Sequence, residues 1–227
     1  AEGAAVVYDT AQESWTSRYT AETVALAFAV TEEAMEDNLY DTFAKVRARA
    51  LARAMAQTKQ VKAANVYNNG FTAGFVGGDG VVLFSAAHPT VGDGNQSNLE
   101  TAADLSEGTL ETAIINTHKM KDDRGIFIGA SPVSLHVAPD GQFDADRILA
   151  SPGRPNTDLN DINRRFTDAD AWFLRNDCPN GTKMFMRAPL ATKMEPDFDT
   201  GNLRFKARER YSFGWSDWRQ WRGNKGT

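Results

Sequence analysis

Lysine is absent from the first 44 residues of this chain, cysteine occurs once in 227, and histidine three times. The single cysteine, Cys178, rules out an internal disulfide and suits a reducing cytosol. His88, His118 and His136 have no metal-ligand spacing among themselves or with Cys178, so no metal site is expected. The longest apolar run, Val24 to Val30, falls far short of the roughly 20 residues that span a bilayer, and no secretory signal is visible. No membrane partner is therefore expected. No period of about 20 to 50 residues marks a repeat array. Positive charge is not in excess either: the net charge is -5, so the overall field does not draw the protein to nucleic acid.

The usual traces of catalysis are thin as well. Gly74, Gly77, Gly78 and Gly80 precede the apolar run Val81 to Phe84, no helix opens on them, and no Lys-Ser/Thr pair follows. That order does not cradle a phosphate. Ser85 and His88 are close in sequence, but no Gly-x-Ser-x-Gly elbow surrounds the serine. His88, just before Pro89, reads as a structural turn residue. Asp122-Asp123 and Asp168/Asp170 read as solvated turns. No catalytic residue and no cofactor are expected.

What the chain does have is 41% hydrophobic and 24% charged residues, enough for one or two closely joined domains. Its longest signal is helical, from Thr31 to about Val66. Thr31 is placed to cap it, Glu32, Glu33, Glu36 and Asp37 fill the first turns, and Lys45, Arg47, Arg49, Arg53, Lys59 and Lys62 follow, as the helix dipole favours. Met35, Leu39, Phe43 and Val46 predict one apolar stripe. Such a helix is about 50 Å long, a strut.

Before it, a β-prone run at 4–8 is followed by strict alternation. Val24, Leu26, Phe28 and Val30 form a bulky face, with Thr23, Ala25, Ala27 and Ala29 on the small one. Residues 1–30 therefore read as an extended β-arm, marginal alone and needing a neighbouring copy to lie on. Further on, Ser106 to Lys121 reads as a helix capped by Ser106. Short strands are expected at 126–128 and 133–137, a brief helix at 143–149, an irregular loop at 151–161 and a strand at Trp172. The closing stretch is a long strand. Leu203, Phe205, Ala207, Tyr211, Phe213 and Trp215 share one face, interrupted by Glu209, and Arg204, Lys206, Arg208 and Arg210 share the other. Salt-bridging to an acidic partner surface or simple solvation fits that basic face better than nucleic acid, since it carries no aromatics. The class is α+β.

Several stretches together resemble the major head subunit of Mu-like tailed bacteriophages. They are Val7-Tyr8-Asp9-Thr10-Ala11-Gln12-Glu13, Arg18-Tyr19-Thr20, Thr31-Glu32-Glu33-Ala34-Met35-Glu36-Asp37, Leu83-Phe84-Ser85-Ala86-Ala87-His88-Pro89 with Asn98-Leu99, Asp170-Ala171-Trp172-Phe173-Leu174, and Arg208-Glu209-Arg210-Tyr211-Ser212-Phe213-Gly214-Trp215. They run in order over nearly the whole chain. The resemblance implies the tailed-phage capsid fold of the Hong Kong 97 type. It would have a β-arm or E-loop at 1–30, a peripheral domain with the spine helix at 31–103, an axial α/β domain at 104–190, and returning strands of the peripheral domain at 191–227. An N-terminal arm or cleaved propeptide, also implied, would lie upstream of Ala1.

The implied function is a major capsid protein. It would assemble in the host bacterial cytoplasm into hexamers and pentamers of an icosahedral shell around double-stranded DNA, with scaffold, portal, cement or decoration proteins as further partners. Some relatives of this fold lock subunits through an arm lysine. With none before Lys45, the shell is expected to be non-covalent, giving one band in denaturant near the 24.9 kDa chain mass. Two alternatives remain: an encapsulin-type compartment, marked by an internal cargo-peptide pocket, and a small cytosolic hydrolase using His88 or the aspartates.

Overall fold

The computed structural model describes residues 15–37, 40–150 and 160–227. In chain order these form β1 (Glu22–Val30), α1 (Glu32–Glu36), α2 (Tyr40–Asn68), β2 (His88–Pro89), β3 (Asn95–Gln96), α3 (Glu107–His118) and β4 (Pro132–Val137). They continue with α4 (Gln142–Leu149), β5 (Asn160–Ile162), β6 (Trp172–Asn176), β7 (Thr182–Pro196), β8 (Leu203–Trp215) and β9 (Trp221–Asn224). The β-prone run at 4–8 and nearly all of the loop at 151–161 lie outside the described residues.

Three strands, ordered β1-β8-β7, make one antiparallel sheet. Helix α2 lies across one face of it: Leu51 and Met55 pack on Ala207 of β8, with Val24 and Phe28 of β1 against them. At 29 residues α2 is about 43 Å long, a strut as expected. The expected single helix is nonetheless two elements. Thr31 caps α1 by accepting the Ala34 amide, and α1 ends at Asp37. Asp37 is of a type whose side chain competes with helical backbone hydrogen bonds, so a boundary there has a cause.

The expected stripe also needs correction. Met35 sits on α1 and not on the strut, Leu39 and the side chain of Phe43 lie outside the described residues, and Val46 is 59% exposed. The face that α2 buries carries Ala44, Leu51, Met55 and Ala64 instead. Positions 44 and 46 are about 200° apart around a helix, so burying one exposes the other. Alanines surround this helix on all sides, and the small core-facing ones are indistinguishable by type from the solvated ones.

Besides the small β2-β3 pair, a four-stranded sheet has the order β5-β4-β6-β9, with β4 parallel to β5 and antiparallel to β6. Helices α3 and α4 cover it through Leu110, Ala113, Ala145 and Leu149, packed on Leu135, Val137, Trp172 and Leu174. Ser106 caps α3 in a reciprocal box with Thr109, as the sequence predicts. Residues 126–128 follow a turn at 123–125 and carry a single bridge, Lys121 to Phe127, but no strand. Ile126 and Phe127 are exposed, so no burial rewards extending the pairing.

A third cluster joins the two sheets. Leu83, Phe84, Phe173, Trp215, Trp218 and Trp221 form it, with Tyr67 at the end of α2 and Phe71 against them. Gly223 lets this packing close, because a Cβ there would fall 2.5 Å from the Phe84 ring. This arrangement bears on the expected boundaries. β7 starts at Thr182, so residue 190 falls inside a strand, and β9, expected in the peripheral part, pairs with β6 in the other sheet.

Candidate subunit interface

The sheet β1-β8-β7 has two unlike faces, and register fixes which residues share them. On the α2 side, Phe28 and Met194 flank Phe205, Leu26 and Thr192 flank Ala207, and Glu22 and Met186 flank Tyr211. Phe28 stacks on Phe205 with ring centroids 4.8 Å apart. The expectation that Val24, Leu26, Phe28 and Val30 lie on a neighbour is corrected for three of them. Val30 is buried, and Val24 and Phe28 pack on their own subunit's Leu51, Met55 and Ala207. A strand that finds a 13-residue partner in β8 gains a full ladder at home and need not wait for a neighbour. Of these four, Leu26, 45% exposed, is the one left free.

Glu209, which seemed to break the apolar face, is buried there (1% exposed) with its Oε2 2.6 Å from Lys59 Nζ of α2. The opposite face carries Arg204, Lys206 and Arg208, all exposed, and Arg210, half-buried, with Ala25, Ala27 and Ala29 alongside on β1. Arg204 pairs with Asp197 at the hairpin end.

The sequence reading named no strand starting at Thr182, and only the expected returning strands at 191–227 touch the end of β7; its Pro196 sits at the last position and Pro189 within the register irregularity between Ala188 and Ala191. As a 15-residue edge strand it leaves Met184, Phe185, Met186, Leu190 and Met194 exposed, and Phe198 in the following turn is 100% exposed. The alternation Met184, Met186 was the available signal.

Chemistry-bearing residues elsewhere are tied up in structure. His88 is fully buried, with Nδ1 2.6 Å from Asp79 Oδ2, Nε2 3.1 Å from Asn98 Oδ1, and its ring stacked on Trp218. Asn98 is the hub of this region. Its Nδ2 donates to the carbonyls of Leu83, Trp218 and Trp221 at 2.7, 3.3 and 3.0 Å, and its Oδ1 accepts the Ser85 amide at 2.9 Å. Asp122 Oδ1 accepts the amides of Arg124 and Ile126, and Asp123 pairs with Arg219 at 2.9 Å, so neither carboxylate faces the other as an acid–base pair would. Burial, helped by the charges of Asp217 and Asp177, pushes the Cys178 thiol up to about 11, which leaves it protonated and unreactive at neutral pH.

Ser134 Oγ is hydrogen-bonded to His136 Nε2 at 2.8 Å, and Asp161 Oδ2 lies 3.3 Å from Nδ1 as a charge contact without a hydrogen bond. A cavity of about 310 Å³ beside His136 is lined by Tyr67, Asp161, Arg175 and Trp221 but not by Ser134, so the hydroxyl is not presented to a substrate there. Among the described residues, no group of three or more His, Cys, Asp or Glu could hold a metal ion.

Burial lowers the His136 pKa below 6.5, with Asp161 opposing and Arg175 adding to the shift. A depressed histidine contributes stability that is present above 6.5 and lost as pH falls through its folded-state value. His136→Gln is expected to flatten that acid-side decline in urea midpoint. An unchanged pH profile would contradict it.

The geometry among the described residues is thus that of a strut-backed sheet with an exposed edge and a basic face. Residues 12–223 match the family described as phage capsid protein. The chain belongs to the phage capsid protein family. Among solved structures, that of Mycobacterium phage Che8 aligns with a TM-score of 0.54 and 13% identity, over 91% of this chain and 72% of that one. The bacteriophage PhiM1 mature capsid gives 0.52 and 14%, over 92% and 71%. The holo-SrpI encapsulin complex from Synechococcus elongatus PCC 7942 gives 0.57 and 8%, over 91% and 74%. At such identities the likeness is one of fold. No curated protein matches the chain. The fold of this phage capsid protein is accordingly the α+β Hong Kong 97 type, and its function is that of a major capsid protein, a structural part of a virion shell.

Proposed function

We propose that this capsid protein assembles into hexamers and pentamers that close an icosahedral shell around double-stranded DNA, as a member of the Mu-like major head subfamily. The observation that carries the reading is the β7 edge, a 15-residue strand whose Met184, Met186, Leu190 and Met194 are exposed and which runs into the fully exposed Phe198. A long apolar edge is a liability in a monomer and a docking element in an assembly. Many modest contacts of this kind, repeated around a ring that closes, add by multivalency. The sheet with α2 would be the peripheral part and the β5-β4-β6-β9 sheet the axial part, with Leu26 of β1 adding to the contact. The shell would form in the host cytoplasm without covalent links or a cofactor, served by separate scaffold, portal and cement proteins.

Phe198→Asp with Met194→Asp tests this, because neither side chain is buried in the subunit and the fold should lose less than about 0.5 kcal/mol per site. Sedimentation of the variant is expected to show soluble capsomers or monomers in place of shells. Normal shells from it would sink the reading. The second reading, an encapsulin-type compartment, draws support from the SrpI likeness in fold. Purified particles holding an enzyme cargo and no DNA would favour it.

A further inference from the structure

The outer face of the β1-β8-β7 sheet carries charge of almost one sign. Arg204, Lys206, Arg208 and Arg210 run along β8 and Lys193 stands beside them on β7, against the carboxylates of Glu195 and of Asp197, which pairs with Arg204. Two observations show that, beyond Arg204, this charge is not balanced within the subunit. Lys193 and Lys206 are direct cross-strand partners, a like-charge pair that weakens a sheet unless an anion lies over it. Arg210 has its Nε buried without a hydrogen-bond partner among the described residues. Small residues flank the ridge, Ala25, Ala27 and Ala29 on one side and Ala188 and Ala191 on the other, so an incoming segment can approach the cations closely.

The opposite charge is concentrated elsewhere on the same chain. Glu32, Glu33, Glu36 and Asp37 are exposed on and just after α1, and no basic residue lies between Thr31 and Ala44. Among the described residues, no ion pair joins them to the ridge of their own subunit. α1 sits at the hairpin end of the sheet, where a Cβ on Gly201 would fall 2.0 Å from the Glu32 carboxylate. Arg208 lies five residues further along β8 than Leu203, roughly 17 Å away.

We propose that the basic outer face of this sheet is a docking surface for the acidic α1 segment of a second copy of the chain. The contact rests on the self-assembly reading above and adds its polarity. Two different patches on each copy meet, so the contact is head-to-tail and propagates around a ring. Complementary charge of this kind sets orientation and partner choice and weakens with salt. It also explains how a protein of net charge -5 associates with itself despite overall repulsion.

Two charge-reversed variants test it by sedimentation of the full chain in low and high salt. One carries Lys193→Glu, Lys206→Glu and Arg208→Glu, and the other Glu32→Lys, Glu33→Lys and Glu36→Lys. Each alone is expected to associate at least about tenfold more weakly than wild type, and the two mixed should recover association with each other. Recovery on mixing also shows that both variants are folded. If both variants associate as wild type does, the docking proposal is overturned while self-assembly stands. If wild type does not associate at any salt, both fall. If the ridge variant assembles normally but its particles lose nuclease-protected DNA, the face serves nucleic acid and the proposal is overturned in that direction.

Discussion

Asn98→Leu is expected to destabilise the subunit by at least about 4 kcal/mol. Removing the amide leaves the carbonyls of Leu83 and Trp221 and the Ser85 amide without this partner, in a region where Asn98 itself is fully buried, while the Trp218 carbonyl keeps the Trp221 amide. Each such group costs about 1–3 kcal/mol when stranded. A domain of this kind has only about 5–15 kcal/mol in hand, so most of the variant should be insoluble or unfolded at moderate temperature. Asn98→Asp, which keeps the acceptors and loses the donors, should fall between. A urea midpoint for Asn98→Leu close to wild type would contradict the role of Asn98 as the hub joining the 83–85 segment to the tryptophan-rich C-terminal stretch.

The second large effect concerns the ion pair between α2 and β8. Lys59→Met leaves the Glu209 carboxylate buried without its cation, at an expected cost of about 3 kcal/mol. That is the lower end for a broken buried pair, because Lys59 is itself 32% exposed and water can partly replace it. The double variant Lys59→Met/Glu209→Leu should recover most of the loss, since an apolar pair of similar volume suits the Tyr211–Ala207 surroundings. Burial and the Glu209 charge hold the neighbouring Tyr211 phenol above its ordinary pKa of 10.0. Removing the carboxylate in Glu209→Leu should therefore lower that value, readable by ultraviolet titration. No recovery in the double variant would mean that Glu209 and Lys59 are not coupled.

The parts of the fold that were legible in sequence are those where local chemistry and tertiary packing agree. Ser106 announced α3, alternation announced β1 and β8, and the acid-then-base gradient announced a helical strut. The parts that were not legible depend on partners distant in sequence. β1 looked like an arm because nothing within it reveals that β8, some 180 residues later, pairs with it from Glu22 to Val30. β7 went unread because its apolar positions are broken by the irregularity around Pro189 and its pairing is with β8 alone. Glu209 looked like a blemish on an apolar face until α2 brought Lys59 to it. The buried face of α2 was misplaced because alanine is equally at home inside and outside. Chemically, the sequence reading of His88 as structural agrees with its complete burial between Asp79, Asn98 and Trp218.

Assembly is the claim on which the rest depends, and electron microscopy of the purified full chain tests it most directly, with sedimentation over a range of concentration and salt alongside. The account predicts rings of five or six subunits or closed shells, dissolving as salt rises or when Phe198 and Met194 are replaced by aspartate. A single species of 24.9 kDa at every concentration and salt, with no ring or shell on the grid, would contradict it.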